Sequence, residues 1–140
     1  MPGGKGKCSM NPSKHVQTLL RKAAQDEAVL EELATNPKFE DETVGFHAQQ
    51  AAEKLLKAWL SHLGVNYPKT HRLKVLINLL SVSEKSLPDE FADLTQLTAF
   101  ATAFRYDDLD SSQPVDRARW LPLVRRLRAF VEAQIGGPAS

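Results

Sequence analysis

Four histidines, a lysine pair and a run of arginines are the residues of this chain best suited to bind or transfer something. His71 follows Thr70. Its imidazole titrates near neutrality and can hold a phosphate or a partner's carboxylate. The competing reading, which we favour, is structural: the residue simply follows a helix cap near the positive end of the helix dipole. Lys54 and Lys57 are three residues apart and offer a positive strip for an anionic ligand, against the favoured reading of a solvated face. Arg105, beside Tyr106, has a fork suited to phosphate or carboxylate. Asp107, Asp108 or Asp110 can equally hold it in an ion pair. Glu53 is of the acid–base type, but no second carboxylate stands at a spacing that marks a catalytic pair. His47, beside Phe46, lacks any His-x-x-x-His or Glu-x-x-His partner, so it reads as a surface or interface residue rather than a metal ligand. The segment 117–128 holds five arginines able to touch RNA phosphates, yet the acidic stretch at 107–110 precedes it and is expected to neutralise it. Gly3, Gly4 and Gly6 precede no strand and form no phosphate loop. Cys8 is the only cysteine, which excludes an internal disulfide and a cysteine-based metal cluster. No catalytic residue, metal or cofactor is expected from these residues alone.

The elements that position these groups read as helices. Val16, Leu19, Leu20, Ala23, Leu30 and Leu33 recur at spacings of three, four and seven, with Asn11-Pro12 to open the helix and Asn36-Pro37 to end it. Val44, Ala48, Ala51, Ala52, Leu55, Trp59 and Leu63 form a second stripe, ended by Gly64. The alanines admit a close neighbour, Trp59 is assigned to the core or a dimer interface, and Glu53 and Lys57 are spaced for a surface ion pair. Thr70 is expected to cap a third helix carrying Leu73, Leu76, Ile77 and Leu80. Ser86 and Pro88 open a fourth, with Phe91, Leu94, Leu97, Ala101 and Phe104, and a fifth carries Leu121, Val124, Leu127, Val131 and Ile135. Pro122 sits in its first turn or kinks it. The spacing predicts helices over 12–35, 42–63, 71–83, 88–104 and 116–135, an all-α, up-and-down bundle of about five helices. Residues 1–11 are expected to form a disordered tail or a non-native remnant, 12–135 one domain, and 136–140 a flexible end.

At 140 residues the chain is long enough for one domain with a real core, and its 42% apolar and 25% charged composition is ordinary for a globular protein. A formal net charge of +1 proposes neither nucleic acid nor membrane as a partner. No apolar run reaches the roughly 20 residues that cross a bilayer, and no secretory signal is visible, so a cytoplasmic location and no membrane contact are expected.

Three features together resemble the HEPN domain family. The segment 46–64, FHAQQAAEKLLKAWLSHLG, is similar to the AQQAxEKxLKAxL pattern of that family's second helix. Thr70-His71-Arg72-Leu73 fills the place of its threonine–histidine pair, and Arg105-Tyr106-Asp107-Asp108 that of an Arg-Tyr-Pro-Asp motif, with Asp107 in place of the proline. The resemblance covers roughly residues 12–135. It implies a helical domain that often forms a homodimer and often works beside a minimal nucleotidyltransferase, as in toxin–antitoxin-type systems. Some members bind nucleotides and some cleave RNA. The cleaving branch uses an arginine followed after four to six residues by a histidine, and here Arg105 leads to Asp110, Ser111 and Ser112. The expectation is therefore a non-catalytic protein that binds a nucleotide or pairs with a nucleotidyltransferase. An RNA-cleaving enzyme with an atypical site, completed across a dimer by His71 and Arg105, and a structural helical adaptor are the alternatives. An anionic ligand, nucleotide or RNA, is expected in a shallow groove lined by Lys54, Lys57, His71, Arg105 and Tyr106.

Overall fold

A computed structural model describes residues 13–101 and 117–136. The first helix, α1 (Lys14–Ala34), is followed by α2 (Asp41–His62) and α3 (Leu73–Val82). A 3-10 segment, Asp89–Leu97, runs into a short α4 (Thr98–Ala101), and a 3-10 turn, Arg117–Arg119, opens α5 (Trp120–Gly136). No strand occurs among the described residues, and the fold is an all-α bundle.

The central helix is α2. Helices α1, α3, α4 and α5 and the 3-10 segment all pack on it, whereas α1 and α3 form no substantial interface with one another. Its apolar positions are buried almost all the way round, from Val44 through Ala48, Ala51, Ala52, Leu55, Leu56, Ala58, Trp59 and Leu60. The alanines serve the expected purpose: they bring neighbouring helices close, and Gly45 does so most strictly, because a Cβ there would lie 2.6 Å from the Phe100 ring. Trp59 meets Phe130 of α5 edge-on at 5.5 Å, and Phe130 also packs on Phe91 at 5.8 Å. Trp59 is thus core.

The helix ends are made by identifiable groups. Ser13 caps α1, its hydroxyl accepting from the Val16 amide at 3.2 Å, while Asn11 and Pro12 lie outside the described residues. Gly64, at φ 75°, ends α2 with Val65 N–H donating to the Leu60 carbonyl and Gly64 N–H to that of Ser61, the paired closure of a helix C-terminus. The same closure ends α3, but there Glu84 holds the left-handed position, at φ 63°. Pro122 is the third residue of α5 and lies in its first turn, where a missing N–H costs nothing.

Three expectations are corrected. Thr70 does not cap α3: Arg72 holds that position, Thr70 accepts from the Arg72 amide, and the Leu73 amide donates to the hydroxyl of Thr98 across the bundle. The expected fourth helix begins as a nine-residue 3-10 segment. Phe91, Leu94, Leu97 and Phe100 are all buried and stand at a strict spacing of three, which is the eclipsed period of a 3-10 helix rather than the alternating three and four of an α-helix. The Glu53–Lys57 pair forms, but Glu53 is only 5% exposed, so the pair is not on the surface.

Candidate functional site

Between Val44 and Ser61, only Phe46, His47, Gln50, Lys54, Lys57 and Ser61 escape full burial. From His47 onward they follow the three–four alternation of one helix face. The expected groove follows this narrow stripe, between α1, whose Asp26 pairs with Lys54, and the connection into α3, whose His71 meets Glu53. Along the middle of α2, what a ligand could reach is a polar strip containing both lysines and His47.

A buried carboxylate organises the α3 side of the groove. Glu53 Oε1 lies 2.9 Å from His71 Nδ1 and accepts from Gln49 Nε2 at 3.2 Å, while Oε2 accepts from Lys57 Nζ at 2.8 Å. Gln49, fully buried, also donates to the main-chain carbonyl of His71 at 2.7 Å, which fixes the backbone as well as the ring. Its own Oε1 is buried without a hydrogen-bond partner among the described residues. The ladder Gln49–Glu53–Lys57, one residue per turn, thus anchors the entry to α3. The His71 side chain remains 60% exposed, and with Nδ1 turned to Glu53 its Nε2 is the nitrogen left for a ligand. In the neutral ring such an Nε2 accepts a proton or hydrogen bond; in the charged ring it donates one.

A second carboxylate stands on the α1 side. Asp26 accepts from Lys54 Nζ and lies 3.6 Å from His47 Nδ1. Burial pushes the Asp26 carboxyl upward, but His47 beside it and the Lys54 ammonium hydrogen-bonded to it together outweigh burial and hold the group below its ordinary value. Gln50 also touches Lys54, at 3.5 Å. Two His–carboxylate–Lys triads therefore flank one stripe: His47–Asp26–Lys54 and His71–Glu53–Lys57.

Of the five residues expected to line the groove, Lys54, Lys57 and His71 are brought to it. Arg105 and Tyr106 lie outside the described residues, as does the acidic stretch 107–110. The lysines do not form a bare positive strip, since each is tied to a carboxylate. Sequence reasoning missed Asp26 and Gln49 as members. The signal for Gln49 was its four-residue spacing from Glu53, but nothing in the sequence aligns Asp26 with Lys54.

The arginines of 117–128 have carboxylate and carbonyl partners among the described residues; the acidic stretch expected to neutralise them lies outside those residues. Arg117 reaches back to the end of α1, donating to the carbonyls of Leu33, Asn36 and Phe39 and to Asp41. Arg119 pairs with Asp93 and lies over the Trp120 ring. Arg126 meets Glu90, and Arg125 and Arg128 both converge on Glu27 of α1, with Glu31 and Glu132 adding to them. Hydrogen bonds that Arg125 donates to Glu31 and Glu27 raise its pKa, and those that Arg128 donates to Glu27 raise that of Arg128. Among the described residues these partners come from α1, α2, the 3-10 segment and α5 itself, and they leave no run of unpaired guanidinium groups for a nucleic-acid backbone. No cluster of three or more His, Cys, Asp or Glu residues suited to a metal occurs among the described residues, and no described helix is long and apolar enough to cross a membrane.

A mostly buried central helix, with a histidine-bearing turn pinned onto it by a glutamate, characterises this small all-α domain. The profile of the HEPN domain family matches residues 16–134, and the chain belongs to that family. No curated protein and no solved structure matches it.

Proposed function

We propose that this HEPN domain acts without strand-cleaving chemistry, binding a nucleotide or pairing with a minimal nucleotidyltransferase in a toxin–antitoxin-type system. The observation that carries the reading is the single polar stripe of α2, which lines up Lys54, Lys57 and, through Glu53, His71 along one groove. A phosphate there gains charge-assisted hydrogen bonds from Lys57 and His71 without leaving Glu53 unpaired, because Gln49 still donates to it. Arg105 and Tyr106 are proposed to complete the groove. Membership of the branch that works beside nucleotidyltransferases is part of the same proposal and rests on the sequence motifs.

The test is a thermal-shift panel of nucleoside phosphates on the purified protein, alongside co-purification with a nucleotidyltransferase encoded beside it. A ligand that favours the folded state raises the melting temperature, by a free energy of about 2.7 kcal/mol at a hundredfold excess over Kd. The absence of both a shift and a complex would sink the proposal. A homodimer is also proposed, and light scattering at micromolar concentration should report twice the monomer mass. The apolar load of α2 and α5 is buried within one chain, so the case for a dimer rests on the family resemblance.

One observation favours a second reading, RNA cleavage by an atypical site. A buried glutamate orienting an exposed imidazole is an arrangement suited to proton transfer. Robust cleavage of a mixed RNA substrate that disappears in His71→Ala would establish it in place of the first.

A further inference from the structure

Beyond the lysines, the α2 stripe opens at Ser61 into a shallow cleft of about 370 Å³ between the start of α1 and the end of α2. Its lining is mixed: the His15 imidazole, the Ser61 hydroxyl, the Val65 side chain, the Asn66 amide and the Tyr67 ring. None of these residues belongs to the two triads. The Tyr67 hydroxyl lies 3.4 Å from both His15 Nε2 and Ser61 Oγ. These are long contacts for a phenol, whose hydroxyl bonds cluster near 2.7–2.8 Å, so the hydroxyl can take up a closer partner. Lys57 Nζ stands 5.7 Å from the centroid of the same ring, one turn before Ser61. Its ion pair with Glu53 occupies one of three ammonium donors.

Lys57 does not line the cleft itself but borders it through the Tyr67 ring, so a cation stands at the edge of a hydrogen-bonding hollow. Ligands that match both are small molecules carrying a planar, heteroatom-rich group and an anion a few ångströms away. The volume is at the lower end of small-molecule pockets, about 300–1,000 Å³. We propose that this cleft receives the nucleoside end of a nucleoside monophosphate, with the base against Tyr67 and His15 and the phosphate at Lys57 beside His71. The inference rests on the nucleotide-binding reading above and adds where the base and sugar sit.

The test is calorimetric titration of the full chain with AMP, GMP, CMP and UMP and with the corresponding nucleosides. Loss of base–aromatic stacking in Tyr67→Ala should weaken nucleotide and nucleoside alike by about tenfold. Lys57→Met should weaken the nucleotide by about tenfold and the nucleoside less than about twofold, since only the nucleotide carries the charge. Tyr67 packs against the core, so Tyr67→Phe and His15→Ala, which keep the ring or alter an exposed residue, are the variants that decide if Tyr67→Ala unfolds. Each should weaken both ligands at least about threefold, the loss of one hydrogen bond. If the parent binds a nucleotide and these two variants bind it equally well, the cleft is overturned while the nucleotide reading stands. If the parent binds none of the four at millimolar concentration, the cleft and the nucleotide reading fall together, and pairing with a nucleotidyltransferase is what remains to be tested.

Discussion

At the scale of single residues, Glu53 and His71 share a contact but carry different weights. Glu53 is buried and receives three donors, two of them able to carry charge; removing it takes from Lys57 the carboxylate it pairs with and from the Gln49 amide one of its two acceptors. Glu53→Ala should cost about 3 kcal/mol in chemical denaturation, in the range for breaking a buried pair. His71→Ala leaves Glu53 still held by Gln49 and Lys57 and removes a side chain that is mostly exposed, so its cost should stay below about 1 kcal/mol. A reversed order would mean that His71, not Glu53, holds the turn. Asp26 gives a prediction in pH. Its carboxyl titrates lower in the folded chain than in the unfolded one, so its contribution is full above the ordinary aspartate range and is lost as the pH falls through the depressed folded value. Asp26→Asn should therefore melt below the parent at pH 7, with the gap closing on acidification below about pH 4. A gap that is constant across pH would show that Asp26 acts through packing alone.

At the scale of elements, two positions on the backbone make opposite predictions about glycine. Gly45→Ala would ordinarily help a helix, yet the Phe100 ring occupies the space of the new methyl group, and a loss of about 1–3 kcal/mol is expected. Glu84→Gly should stabilise by about 1 kcal/mol or less, because the left-handed turn after α3 penalises any side chain; melting curves of the pair settle both signs. The elements also divide by how legible they were. The helices α1, α2 and α5 are within a few residues of the apolar periodicity, since a stripe at 3.6 residues has few other ways to be buried. The 89–97 segment misled because Phe91, Leu94 and Leu97 satisfy an α pattern and a 3-10 pattern equally over so short a run. The groove was legible in part. Lys54 and Lys57 share the accessible face of α2 by their spacing alone, and His71 reaches it from the next connection. Which side of α2 is sealed depends on where α1 and α5 pack, and no local pattern in α2 carries that. The carboxylates opposite the lysines, Asp26 above all, were hidden for the same reason.

At the scale of the whole molecule, charge is used to lock helices rather than to present a basic face. Arg125 and Arg128 both reach Glu27, which joins α5 to α1 on the flank of α2. Glu27→Ala should leave Arg125 with Glu31 alone and Arg128 with Glu132 alone, lower the melting temperature by several degrees and raise non-specific binding to RNA at low salt, with the RNA effect vanishing as salt is added. An unchanged melting temperature would show that α1 and α5 are held by apolar packing alone. Arg117 ties the end of α1, crossing to the carbonyls of Leu33 and Asn36 from far along the chain. During synthesis the first helix emerges long before Arg117 does, and until then its terminal carbonyls lack the partner they have in the finished fold. Until then the Leu33 and Asn36 carbonyls have only their local backbone donors, and this tie between the end of α1 and the start of α5 can form only once Arg117 has been made.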